Sequence, residues 1–216
     1  VKAASRRLRR RLDSYTDVLR GLQGYFDGAE DVVRAEFRRY IMKLDLQQRF
    51  HGFRVIGFAP RVATYDKVQH EESIRNDRST DPNGHPHYAI RPAGDRPEYY
   101  PITFLQPMSG NEKAFGFDFS SEAERFATLQ RARDSGKAAA TGRIILVQDE
   151  TRTPGFILML PLYQSGQPIQ TVEQRRAVFT GVIYAAFVIN DLMKGVFVTD
   201  LLAQHQLKVI DGGMVG

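Results

Sequence analysis

Arg125 is the charged residue of this chain whose placement most clearly asks for a partner. It follows Ser121 and Glu124, whose S-x-x-E spacing lets a serine oxygen and a glutamate satisfy each other's free backbone N–H groups at a helix start. A cation in that first turn is disfavoured by the helix dipole by about 0.3–1 kcal/mol. A guanidinium there stands in water, against an acidic side chain, or against an anionic ligand, and its planar fork suits carboxylates and phosphates. The other candidates for chemistry are thinner. His85 and His87 flank Pro86 on a loop and could share a metal, but the sequence sets no further pair of ligands beside them. Glu122 and Glu124 lie two apart at the helix start, where capping and the dipole account for them. Asp149 and Glu150 read as solvated residues of a hairpin loop. No P-loop, G-x-S-x-G, H-E-x-x-H or EF-hand pattern is present. Neither catalysis, metal nor cofactor is expected, and the chemistry on offer is that of binding.

The elements that must position Arg125 lie in residues 99–163. They read as an apolar strand, a second short strand, a helix over 121–135, and two further strands joined by a polar hairpin loop. Phe126, Leu129, Gln130 and Arg133 keep helical spacing, and Gly136 can turn left-handed past the end. A helix crossing one side of an antiparallel sheet is the unit of PAS-like sensor modules and leaves a small cavity beneath it.

Upstream, Leu8, Leu12, Tyr15, Leu19, Leu22 and Phe26 form a heptad seam along a stem helix over 1–28. Packing on its own domain and pairing with a twin helix in a homodimer both fit that seam. Gly28 ends the stem, and Asp31 is expected to start a second helix with Val33, Phe37, Tyr40, Ile41 and Leu44 on its buried face. A strand over 53–58, a polar helix over 65–75, a loop over 77–87 and a short strand over 88–91 follow. Downstream, 165–176 reads as a polar connector and 179–189 as an inner strand covered on both faces. A helix over 191–202 with Asn190 as N-cap and a last strand over 207–210 complete the chain. The class is α+β, one domain over 1–216. It divides into the stem 1–28, a mixed lead-in 29–87, a sheet-based ligand-binding unit 88–189, and a return segment 190–216.

Composition narrows the function. The net charge is +5, yet residues 1–11 carry six cations and no acid, which leaves the remaining chain at −1. A nucleic-acid reader is not expected, because its folded body would carry the basic face. With no cysteine, disulfides and thiolate metal sites are excluded. No run reaches the ~18 apolar residues that span a bilayer, and no signal peptide is visible. The first residue is Val, so an excised fragment is expected.

An ordered series of blocks resembles the CHASE family. The blocks are YPITFLQPM at 100–108, Gly116-Phe117-Asp118, RARDSGKAAATG at 131–142 and GFILMLPLY at 155–163, with further likeness over 36–62 and 181–197. That family comprises ligand-sensing extracytoplasmic domains of membrane-bound histidine kinases, diguanylate cyclases and related receptors, the plant cytokinin receptors among them. The resemblance implies a periplasmic sensor domain between transmembrane helices, signalling through the stem helix, with a protein-partner-sensing or dimerisation module as the alternative. It also implies a ligand-contact set of Phe104, Phe119, Arg125, Leu129, Thr141, Leu146, Met159 and Ala185. In the cytokinin-binding relatives an aspartate aligns with Arg125, a threonine with Met159 and a glycine with Ala185, whereas Thr141 is matched. The scaffold is retained and the adenine-reading chemistry is not, so a different small molecule, an anion among the candidates, is expected.

Overall fold

The computed structural model describes residues 2–50, 52–148 and 152–196. Helix α1 (Lys2–Asp27) is the stem, followed by α2 (Arg34–Leu44) and the single turn α3 (Leu46–Arg49). Strands β1 (Phe53–Pro60) and β2 (Val62–Ala63) precede α4 (Lys67–Arg75), and β3 (Glu98–Tyr99) and β4 (Phe104–Gln106) come after a long loop. Helix α5 (Ala123–Ser135) leads into β5 (Ala139–Ala140), β6 (Ile144–Ile145) and the long β7 (Pro154–Tyr163). Helix α6 (Val172–Ala177), β8 (Phe179–Val188) and α7 (Ile189–Val196) close the described chain. The main sheet is antiparallel in the order β4-β1-β8-β7-β5, with β6 also on β7. This is the α+β, PAS-like arrangement expected, a long N-terminal helix followed by an antiparallel sensor sheet. The sheet takes a central strand, β1, from outside residues 88–189.

Strand alternation sorts the core into two layers. Val182, Tyr184 and Ala186 of β8 face α5, together with Val55 and Ala59 of β1 and Ile157 and Met159 of β7. Ile183, Ala185 and Phe187 face the stem, with Ile56, Leu158, Leu160 and Leu162. Period-2 geometry requires this split, since neighbouring residues of a strand point to opposite faces. β8 is buried on both faces from Gly181 to Phe187, as its continuous apolar run predicts.

The seam of α1 packs on its own sheet: Tyr15, Leu19 and Leu22 are buried against β7 and β8. Tyr15 stacks on Phe187 at 4.3 Å, Phe187 stacks on Phe156 at 5.0 Å, and Gln23 donates to the Pro161 carbonyl at 2.8 Å. The Leu8 side chain, Asp149, Glu150, and the expected segments beyond residue 196 lie outside the described residues.

Several local expectations are corrected. Helix α2 starts at Arg34 rather than Asp31, and Val33, its N-cap, is exposed. Residues 88–91 form one bridge, Arg91 to Phe117, instead of a strand, because α4 takes up their backbone groups: Arg75 donates to the Tyr88 carbonyl and Glu71 accepts from the Ile90 amide. The short strand expected before the helix is reduced to isolated bridges at Phe117 and Asp118 followed by a 3-10 turn, since Asp118 folds its carboxylate back onto the Tyr100 and Ser120 amides. The expected connector over 165–176 gives way at Val172 to α6, for which the Thr171–Gln174 capping box is the sequence signal. Asn190 lies inside the first turn of α7, which continues directly out of β8.

Candidate functional site

Helix α5 is capped one residue later than the sequence pattern indicates. Glu122 is the N-cap and accepts from the Glu124 and Arg125 amides, while the Ser121 hydroxyl donates to the Asp118 carbonyl. Glu124, the expected capping-box partner, instead accepts from the Gly142 amide at 2.8 Å and holds the β5–β6 segment to the helix. Gly136 ends the helix at φ 68°, as expected.

Arg125 is buried at that helix start. Its Nη1 donates to Glu122 at 2.7 Å, its Nη2 donates to the Ile145 carbonyl at 2.8 Å, and its guanidinium lies over the Phe117 ring at 5.3 Å. The side chain is 7% exposed and that of Glu122 40%, so Glu122 stands on the solvent side of the pair. Arg125 Nε is buried without a hydrogen-bond partner. The Tyr184 hydroxyl, on β8, is likewise buried without one.

Both residues line the same small cavity of about 10 Å³ between α5 and the sheet. That volume admits about one water molecule. Its walls are apolar: Val55, Ile102, Ala114, Phe117, Phe119, Leu146, Ile157 and Ala186, with Val147 and Gln148 at one side. Gly57 pairs with Tyr184 across β1 and β8, and a Cβ on Gly57 would come within 2.6 Å of the tyrosine ring and hydroxyl. Phe119 meets the Tyr184 ring edge-on at 5.1 Å. Burial pushes the Tyr184 pKa well above the ordinary phenol range, so the hydroxyl keeps its proton. Outside, Glu122, Glu124, Arg125, Gly142, Arg143, Ile144 and Ile145 border an open surface groove, so Arg125 lines both groove and cavity.

Of the sequence-derived contact set, Phe119, Arg125 and Leu146 line the cavity. Leu129 and Met159 belong to the same layer as packed core. Thr141 is structural, its hydroxyl accepting from the Ile157 amide at 3.0 Å. Phe104 and Ala185 are on the opposite, stem-facing side of the sheet, because Ala185 is one residue out of phase with Tyr184 and Phe104 with Leu105. Tyr184 was not read as a site residue, since it sits in an unbroken apolar run with nothing to mark its hydroxyl. Among the described residues no cluster of metal-ligating side chains occurs, and His85 packs edge-on to Phe115 at 5.1 Å.

A family model described as the CHASE domain matches residues 30–215. The chain belongs to the CHASE-domain family. CHASE domains are extracellular sensor domains, so this chain is a sensor domain of a signalling receptor. Hybrid signal transduction histidine kinase A of Dictyostelium discoideum is similar to this CHASE domain, with 29% identity over 152 residues. The similarity covers 66% of the chain and 7% of that much longer protein. Among the described residues no helix is long and apolar enough to cross a membrane.

Proposed function

We propose that this CHASE domain binds a small molecule in the cavity between α5 and the sheet, and that occupancy is passed to the stem helix α1. The observation that carries the reading is the pair of unpartnered buried polar atoms, Arg125 Nε and the Tyr184 hydroxyl, on residues lining one apolar cavity. A buried donor without an acceptor costs about 1–3 kcal/mol, and a ligand oxygen would recover that cost. Strand β8 supplies the link. Tyr184 and Ala186 line the cavity on one face, and Ala185 and Phe187 meet the stem layer on the other. A ligand that enlarges the cavity would displace β8, and through Phe187 the stacked Tyr15 of α1. It shifts the stem only by its differential affinity for the two arrangements. In a longer receptor the stem would be continuous with a transmembrane helix, the domain would lie outside the inner membrane, and its output would be a histidine kinase or a diguanylate cyclase.

The test is a thermal-shift screen of metabolite libraries, followed by hydrogen exchange on each hit. A ligand at about 100 Kd adds about 2.7 kcal/mol of stability. A true hit also changes amide protection in β8 and in α1 around Tyr15.

A second reading is a domain that senses a protein partner. The small cavity favours it, as do Tyr65, just before α4, and Val68, in its first turn, which are 87% and 65% exposed. A library without hits supports it.

A further inference from the structure

We infer that the ligand of this cavity is an electrically neutral carbonyl compound with an apolar body, and that Glu122 enforces this neutrality. The inference rests on the cavity being the sensing site and adds the ligand's chemical class. Arg125 alone would attract an anion, and that is what its sequence position suggests. Its charge, however, is already met: Glu122 holds Nη1 at 2.7 Å from the solvent side, and the Ile145 carbonyl holds Nη2. Glu122 is itself fixed in place, because the same carboxylate caps α5 through the Glu124 and Arg125 amides. The remaining lining residues are apolar or neutral.

What is left to an occupant is therefore polar without net charge: beside the neutral Gln148 amide, the polar atoms without a partner are Arg125 Nε and the protonated Tyr184 hydroxyl. A carbonyl oxygen has two lone pairs and no hydrogen, which matches two donors. A carboxylate would bring a second anion to a guanidinium that has one, in a desolvated space where an uncompensated charge is strongly disfavoured. An ammonium or amidinium would face the buried Arg125. The cavity admits about one water as it stands, so the body of the molecule enters by displacing Ile102, Phe119 and Ile157, which offer it only apolar wall.

Three near-isosteric probes distinguish these cases: methyl isopropyl ketone, isobutyrate and isobutyramidinium. Each is titrated into the 216-residue chain while the Ala186 methyl and Tyr184 ring resonances are followed by NMR. The ketone is expected to bind at least about tenfold more tightly than either ion. In Glu122→Ser, which keeps a capping oxygen and removes the carboxylate, isobutyrate is expected to gain about tenfold and overtake the ketone. Isobutyrate binding the wild-type chain as tightly as the ketone overturns the neutral-ligand inference and leaves the cavity reading standing. So does an unchanged order in Glu122→Ser. If that variant does not fold, the wild-type order decides alone. If none of the three probes moves Ala186 in the wild-type chain, the cavity reading itself falls.

Discussion

At the scale of single residues, the cavity sets binding against stability. Tyr184 is fully buried, and its hydroxyl has no partner. Tyr184→Phe removes a desolvated polar group and keeps the ring on Gly57 and Phe119, so urea denaturation is expected to show a gain of about 1 kcal/mol. A loss of more than about 1 kcal/mol would show that the hydroxyl already has a tightly held partner. Arg125 was legible in the sequence because a cation in the first turn of a helix runs against the dipole. Its partner was not, because capping and the helix dipole accounted for Glu122 and Glu124 alike and nothing in the sequence singled out Glu122 for the arginine. Phe104 and Ala185 were misplaced for a related reason. Membership of an apolar strand is visible in composition, but which face a residue takes depends on phase, and the pairing of Gly57 with Tyr184 is not written locally.

Among the elements, the stem is the one whose sequence pattern and packing agree most closely. The seam predicted a helix over 1–28, and α1 occupies Lys2–Asp27. The pattern left open what the seam packs on, because a strip of apolar residues at heptad spacing fits a sheet as well as a second helix. The described part of the seam is committed to the sheet: Leu19 and Leu22 are fully buried there. Leu19→Ala is therefore expected to cost about 2–5 kcal/mol in a dilute, monomeric sample, the range for a buried leucine truncated in a core that only partly collapses. Equilibrium unfolding at two protein concentrations checks this. An unchanged midpoint in the mutant at low concentration, with a loss only at high concentration, would assign Leu19 to an intermolecular seam instead. The strands were legible where they are long and apolar, as in β7 and β8. They were illegible where, as in β3 and β5, two residues are drawn into a ladder by neighbours distant in sequence.

For the molecule as a whole, a second buried polar cluster ties the lead-in to the sheet and makes stability depend on pH. Arg34 of α2 donates to Asp77 at 2.7 Å and to the Thr103 carbonyl at 2.7 Å, with its guanidinium between the Phe104 and Phe115 rings at 5.1 and 5.0 Å. Packed against this cluster from α4, His70 lies 3.1 Å from the Tyr88 hydroxyl and 3.4 Å from that of Thr103. Burial lowers the His70 pKa to about 4; Glu71 opposes the shift and the Arg34 cation adds to it. His85 is lowered in the same direction, by burial first and then by Arg34, with Asp77 and Asp81 opposing. In the unfolded chain these imidazoles take up protons near pH 6.5, so between that value and about pH 4 the unfolded state binds more protons than the folded one. Stability is therefore full above pH 6.5 and falls as the solution is acidified. For His70 the loss amounts to about 3 kcal/mol at most. The carboxyl pKa values of Asp77 and Asp134 are lowered as well, and their contribution is lost only below about pH 4. The two effects thus occupy separate windows. Urea denaturation at pH 7, 6, 5 and 4 should show the decline in the wild-type chain and a flatter profile in His70→Gln, which keeps a polar group near Tyr88 but cannot be protonated. An equally steep decline in that variant would place the acid sensitivity elsewhere and leave His70 a spectator to the Arg34 cluster.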